Sequence, residues 1–147
     1  EAFLIASTVN LIIAQRLVRK LCPESREKYT LNDEEVKDIE KYVDRERVVA
    51  HLVENKIVEK SKGFRDLEFY KPKPLKKCPD GYEGRIGIYE ALEVTESIKN
   101  LITSKASSDD LHNRAKKEGM ITMAEDGIIK AAQGITSIEE VLRVTRE

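Results

Sequence analysis

The chain has 147 residues, a length that suits one domain or two small lobes. Its 26 basic and 27 acidic residues leave a formal net charge of −1, and there is no Trp, so the basic excess and stacking platforms that nucleic-acid binding uses are missing. Hydrophobic residues make up 40 % and charged residues 36 %, a foldable but polar balance, and no apolar run is long enough to span a bilayer.

Residues 2 to about 21 read as one helix. Phe3, Ile5, Val9, Ile12, Ile13, Leu17 and Leu21 recur near helical spacing. Arg16, Arg19 and Lys20 crowd its end, where cations suit the helix dipole, and Pro23 stops it. The first residues carry no start Met, basic leader or cleavage site, so the chain is expected to be truncated or processed upstream. Residues 22 to 31 form a polar connector. A helix starting at Asn32, capped with Glu35, carries Val36, Ile39 and Val43. Another, from Arg45 to about Lys56, carries Val48, Val49, Leu52 and Val53.

Lys60-Ser61-Lys62-Gly63 is a turn and Leu67–Tyr70 a short strand. Pro72 and Pro74 then enforce an extended loop. Gly81 and Gly84 are turn glycines with positive φ, and Arg85 to Glu93 is a second strand that could pair with the first. Four capped helices follow. Thr95 and Ser107 cap the first two, Thr122 with Glu125 the third, and Thr136 with Glu139 the fourth; Gly119 and Gly134 end the second and third. The fold class is mainly α with a small antiparallel β-ribbon.

Candidate chemistry is sparse. No G-x-x-x-x-G-K-[ST] phosphate loop occurs, nor an acidic strand end recognisable as a Mg²⁺ holder. No nucleophile and base are visible together, so no residue is assigned as catalytic and the isolated chain is expected to be inactive as an ATPase. Arg19 reads as a solvated charge. Glu125 and Asp126 read as helix capping and dipole compensation, and Met120 and Met123 as core. Lys71, Lys73, Lys76 and Lys77 form a local basic run. It reads as a solvated loop, with an acidic partner or phospholipid head groups as the functional alternative.

Two blocks carry a resemblance. The first is Gly81-Tyr82-Glu83-Gly84-Arg85-Ile86-Gly87-Ile88-Tyr89-Glu90. The second is Gly119-Met120-Ile121-Thr122-Met123-Ala124-Glu125-Asp126-Gly127-Ile128, closing with Gly134-Ile135-Thr136-Ser137-Ile138-Glu139-Glu140-Val141. Together they resemble the C-terminal end of the secretion ATPases that drive type II secretion and type IV pilus assembly. The resemblance implies the helical C-terminal subdomain of a RecA-like motor whose nucleotide-binding core lies upstream, absent from this chain. It implies three segments: 1–23, a helix continuing from the missing core; 24–80, a degenerate cysteine-segment insertion with two helices; and 81–147, a strand plus four helices. It also implies a cytoplasmic hexamer, peripheral to the inner membrane and docked on a platform protein there. ATP and Mg²⁺ would act only through the upstream part. Secretion, pilus extension and DNA uptake share this end of the family.

Ala14-Gln15-Arg16-Leu17-Val18-Arg19-Lys20-Leu21-Cys22-Pro23 is similar to the helix that enters the family's tetracysteine segment, where two C-x-x-C pairs hold a structural zinc. Here the pairs read Cys22-Pro23-Glu24-Ser25 and Leu75-Lys76-Lys77-Cys78. The family implies zinc, but a Ser hydroxyl is a poor ligand and Leu is none. Cys22 and Cys78 are therefore remnants of a family zinc site, and zinc is expected to be lost. If the fold is retained, the two cysteines lie close together, with a reduced pair as the default and a disulfide as the alternative that a cytosolic compartment disfavours, and Leu75 is at least partly buried in the ligand's place. Arg85, in the family's Gly-Arg-x-Gly-Ile block, either orients backbone carbonyls or approaches a nucleotide held by the upstream part. Two rival readings remain: a stand-alone helical binding or adaptor module, and a small redox- or metal-dependent regulator built on Cys22 and Cys78.

Overall fold

The computed structural model describes residues 1–146. Among them are seven α-helices, four strands and one 3-10 turn. They form two compact units. One comprises Glu1–Gln15 and Tyr89–Thr122, and the other comprises Arg16–Ile88 with the residues from 123 on. The mainly helical class stands, with two small two-stranded sheets in place of a single ribbon. No helix of the described residues is long and apolar enough to cross a membrane.

The single helix read over residues 2–21 is corrected. Helix α1 covers only Ala2–Thr8, and Val9 is already extended at φ −89° and ψ 127°. Strand β1 then runs Leu11–Leu21. The side chains weaken the helix, and a partner strand completes the choice. Ser7 and Thr8 both donate their hydroxyls to Leu4 O, which competes with continuing the helix. The β-branched Val9, Ile12, Ile13 and Val18 lose χ1 freedom in a helix and fit a pleated strand.

Strand β1 pairs with β4 (Tyr82–Glu93). Val94 N–H donates to Asn10 O at one end, and Cys22 N–H to Gly81 O at the other, so the strands run antiparallel. Strand β2 (Glu27–Tyr29) lies in the stretch read as a connector, and it is the partner of β3 (Phe69–Lys71), with Glu27 opposite Lys71 and Tyr29 opposite Phe69. The expected pairing of residues 67–71 with 85–93 is thus replaced by two separate pairings. A strand of three residues finds its partner by tertiary placement, which local pattern does not encode.

The helix punctuation was legible. Helix α2 (Asp33–Glu40) has the Asn32–Glu35 capping box, and α3 (Arg45–Glu54) is capped by Asp44. Thr95 caps α4 (Glu96–Thr103), and Ser107 caps α5 (Ser108–Lys117). Gly81, Gly84, Gly119 and Gly134 all have positive φ. Helix α6 covers Met123–Ala132 and α7 Ile138–Thr145. The last cap shifts by one residue. Ser137, not Thr136, accepts from Glu140 N–H, because the Thr136 hydroxyl donates to Arg19 O at 2.7 Å.

In the first unit α1 packs on α4 and α4 on α5. Val94, Ile98, Ala115 and Met120 form its core, with Val9 and Leu101 against them. In the second, α6 is the central element and touches α3, α7 and β3. Val18, Ile88 and Val144 cluster there, with Ile86 and Met123 packed on them.

Helix α6 crosses α7 closely at Gly127. A Cβ added at Gly127 would sit 2.5 Å from Val141 Cγ1 and 2.9 Å from Cγ2. Gly127→Ala is therefore expected to destabilise by about 1–3 kcal/mol despite the better helix propensity of Ala. A denaturant series checks this, and Val141→Ala placed in the same chain should recover part of the loss.

Candidate functional site

Three side-chain constellations concern the residues singled out by sequence. The first is a cysteine corner where β1 ends. Cys22 and Cys78 are buried and joined as a disulfide, with a Cα–Cα distance of 6.5 Å across 56 residues of chain. The closeness of the two residues is as expected. The reduced state is corrected to a bonded one, because the fold brings both sulfurs to one buried point. Leu75 is corrected too. It is 39 % exposed, because Leu75 and Cys78 exchange both backbone hydrogen bonds in a tight bridge that turns the side chain outward.

The corner does not fit a closed structural zinc. Cys22, Glu24 and Cys78 offer three ligand atoms within 4.8 Å of one another. Glu24 is bridged to Lys77 at 3.1 Å, and the Ser25 hydroxyl donates to Lys73 O at 2.7 Å. A tetrahedral site needs four donors with the sulfurs as free thiolates. Here the sulfurs are bonded to each other and the candidate oxygens have partners.

The second constellation centres on Glu140, whose side chain is 1 % exposed. Its carboxylate accepts from Arg19 N–H at 2.8 Å and Arg19 Nη2 at 2.9 Å. It also accepts from Arg143 Nε at 2.9 Å and Nη2 at 3.0 Å. Burial pushes this carboxyl upward, but the hydrogen bonds from Arg143 and Arg19 outweigh it and hold it at about 2. Arg19 also lies 4.2 Å over the Tyr82 ring, and Tyr82 shares a 2.7 Å hydrogen bond with the Ser137 hydroxyl. Arg19 is thus not the solvated charge expected; it links β1, β4 and α7. Sequence pointed only weakly at Glu140. Ser137 and Glu140 stand at capping-box spacing, yet the carboxylate turns to two arginines.

The third constellation joins the 26–70 segment to the C-terminal helices. Arg47 on α3 donates through Nε to Glu125 on α6 at 3.0 Å, and Glu125 is 1 % exposed. Glu125 therefore does more than cap. Arg47 had no local signal, since a partner 78 residues away leaves no mark on its neighbours. Asp126 holds Lys130, which also donates to Gly87 O at 2.9 Å. Arg85 stands exposed on β4 and enters no ion pair among the described residues. In the lysine run, Lys77 pairs with Glu24, and Lys71 lies 4.4 Å over the Tyr29 ring. Half of that run is thus engaged within the fold.

None of these arrangements brings a nucleophile, a base and a pocket together. They are tethers. What stands open is apolar: Phe3 is 61 % exposed and Ile13 60 %, and Leu4, Ile5, Leu11, Ile12 and Leu17 are exposed with them.

The pattern that defines the Type II/IV secretion system protein family matches residues 1–143. Among curated proteins, the chain is 37 % identical over 147 residues to the type IV pilus assembly ATPase PilB of Pseudomonas aeruginosa, covering 99 % of the chain and 23 % of that relative. It is 34 % identical to the type II secretion system protein E of Xanthomonas campestris pv. campestris, covering all of the chain and 23 % of the relative. It is 37 % identical over 150 residues to the type II secretion system ATPase E of Vibrio cholerae, 25 % of which is covered. The chain thus spans about a quarter of the length of the curated relatives it matches.

The Glu140 clasp has a pH signature. A carboxylate depressed in the folded state contributes stability that is full above its unfolded value near 4.5 and is lost as pH falls through about 2. That contribution is about 3 kcal/mol. Glu140→Gln is expected to cost about 3 kcal/mol at neutral pH and to flatten the acid limb of the stability curve. Arg143→Ala, which removes two of the four donors to this carboxylate, should let the carboxyl rise toward its ordinary value and move the acid limb to higher pH. Denaturant titrations at stepped pH measure both.

Proposed function

The chain belongs to the Type II/IV secretion system protein family, and on that premise we propose that it is the C-terminal packing piece of an ATPase that powers type IV pilus assembly or type II secretion. DNA uptake is a further use of the same engine. The motor is a cytoplasmic hexamer, peripheral to the inner membrane, and docks on a platform protein there. ATP and Mg²⁺ bind the part of the protein outside this chain. The relatives named as ATPases of pilus assembly and secretion support this reading.

The observation that carries the packing role is the open apolar face. Helix α1 turns Phe3, Leu4 and Ile5 outward, and the first half of β1 exposes Leu11, Ile12 and Ile13. An apolar face of this kind marks a contact surface. Successive residues 11–13 point to both faces of the strand, so both faces call for cover. Chain outside these 147 residues is the natural cover, given that the relatives are about four times as long. The buried carboxylates of the second unit act as tethers between its elements.

The purified 147-residue chain is expected to show no Mg²⁺-dependent ATP hydrolysis, while the full-length protein hydrolyses ATP. Ile13→Glu should lower both ATP turnover and thermal stability of the full-length protein. The same substitution should leave the melting temperature of the 147-residue chain unchanged within about 2 °C. Turnover by the short chain, measured against a contaminant control, would contradict the assignment of chemistry elsewhere. An undisturbed full-length Ile13→Glu variant would contradict the packing role and favour an adaptor.

A further inference from the structure

We propose that Cys22 and Cys78 form a reversible thiol–disulfide clamp in place of a metal, which fastens the loop of residues 73–81 to the end of β1 when oxidised and frees it when reduced.

The location favours a clamp. Cys22 follows directly on the last residue of β1, and Cys78 lies three residues before Gly81, where the chain turns into β4. Few other bonds hold the two loops together. Cys22 N–H donates to Gly81 O at 2.9 Å, the Ser25 hydroxyl donates to Lys73 O, and Lys77 reaches Glu24. Gly81 is pressed on the loop's start: a Cβ there would lie 2.7 Å from Lys73 N and 2.8 Å from Pro72 Cβ. One covalent bond among so few weak ones dominates the order of the loop. Asp80 lies in the loop and bonds Arg19 at 3.3 Å, so its release also reaches the Arg19–Glu140 clasp from the exposed side.

The donor set favours sulfur exchange over metal. Among the described residues, two sulfurs and one carboxylate converge, and that carboxylate is held by Lys77. Two thiolates with no complete tetrahedron around them are poor at retaining zinc but remain competent for exchange. The co-reactant is a small-molecule disulfide such as oxidised glutathione. One cysteine thiolate attacks it, releasing one small thiol and leaving a mixed disulfide. The second cysteine then displaces the other small thiol as the Sγ–Sγ bond forms. The protein dithiol loses two electrons and two protons, and the small disulfide becomes two thiols.

Both sulfurs are buried, so exchange proceeds through local opening of the loop. The exposed Lys77–Glu24 pair bridges that opening and is easily parted.

The test uses the full-length protein equilibrated in glutathione buffers of graded oxidation, acid-quenched and alkylated, with mass spectrometry of the peptides carrying Cys22 and Cys78. The two cysteines should pass together from alkylated to mutually bonded in one two-electron step. Amide exchange in residues 73–81 should slow by roughly tenfold on oxidation. Cys22→Ser and Cys78→Ser should each abolish that difference. Lys77→Ala should speed reduction by dithiothreitol a few-fold, on the order of the loss of one exposed ion pair, without moving the end point. Alkylation of both cysteines in every buffer would overturn the proposal. So would stoichiometric zinc on the reduced protein that shields both thiols, or a disulfide that forms with no change in amide exchange. These readouts are independent of ATP turnover, so they stand or fall apart from the motor assignment.

Discussion

The carboxylate of Glu140 is the point on which the second unit depends. A charge buried to this degree is tolerated only when its lone pairs are fully used. Arg19 supplies a backbone donor and a guanidinium donor, and Arg143 supplies two more. Because Arg19 belongs to β1 and Glu140 to α7, satisfying one charge fixes a strand against a helix 121 residues away. The surrounding polar groups fall into line. Thr136 donates to Arg19 O, Ser137 takes over the cap of α7, and Tyr82 bonds Ser137 beneath the Arg19 guanidinium. Among the described residues no buried side-chain polar atom is left without a partner.

The same logic applies to residues 26–70, which lie within the stretch read as an insertion. Its helices pack through Val36, Ile39, Val48 and Leu52, all nearly or fully buried. Arg47 then neutralises Glu125 at the start of α6. Removing the segment would leave an uncompensated buried carboxylate there and strip cover from α6, which α7 and β3 also touch. Gly127 lets α7 approach that helix closely, and Arg26 bonds Gly134 O where α6 ends. Arg26, Arg47 and Val141, distant from one another in the chain, thus converge on α6.

The interior is closed and the outside of α1 and β1 is not. Exposed apolar side chains gathered in this way mark a contact surface.

Local rules read from sequence held wherever a feature depends on neighbours a few residues away. The Asn32–Glu35 box, the caps at Thr95 and Ser107, and the positive φ of Gly81, Gly84, Gly119 and Gly134 are of this kind, because each is decided within one turn of chain. The resemblance carried by the Gly-Tyr and Gly-Met blocks was likewise legible, since a run of residues holds its own order. Only tertiary structure decided that residues 11–21 are a strand, that residues 69–71 pair with 27–29, that Ser137 caps α7, and that Arg19 and Arg47 are tethers. An apolar spacing such as Val9, Ile12, Ile13 suits either a helix or a strand in isolation. The choice is made by a partner strand, and the fate of an arginine by a carboxylate, that lie dozens of residues away.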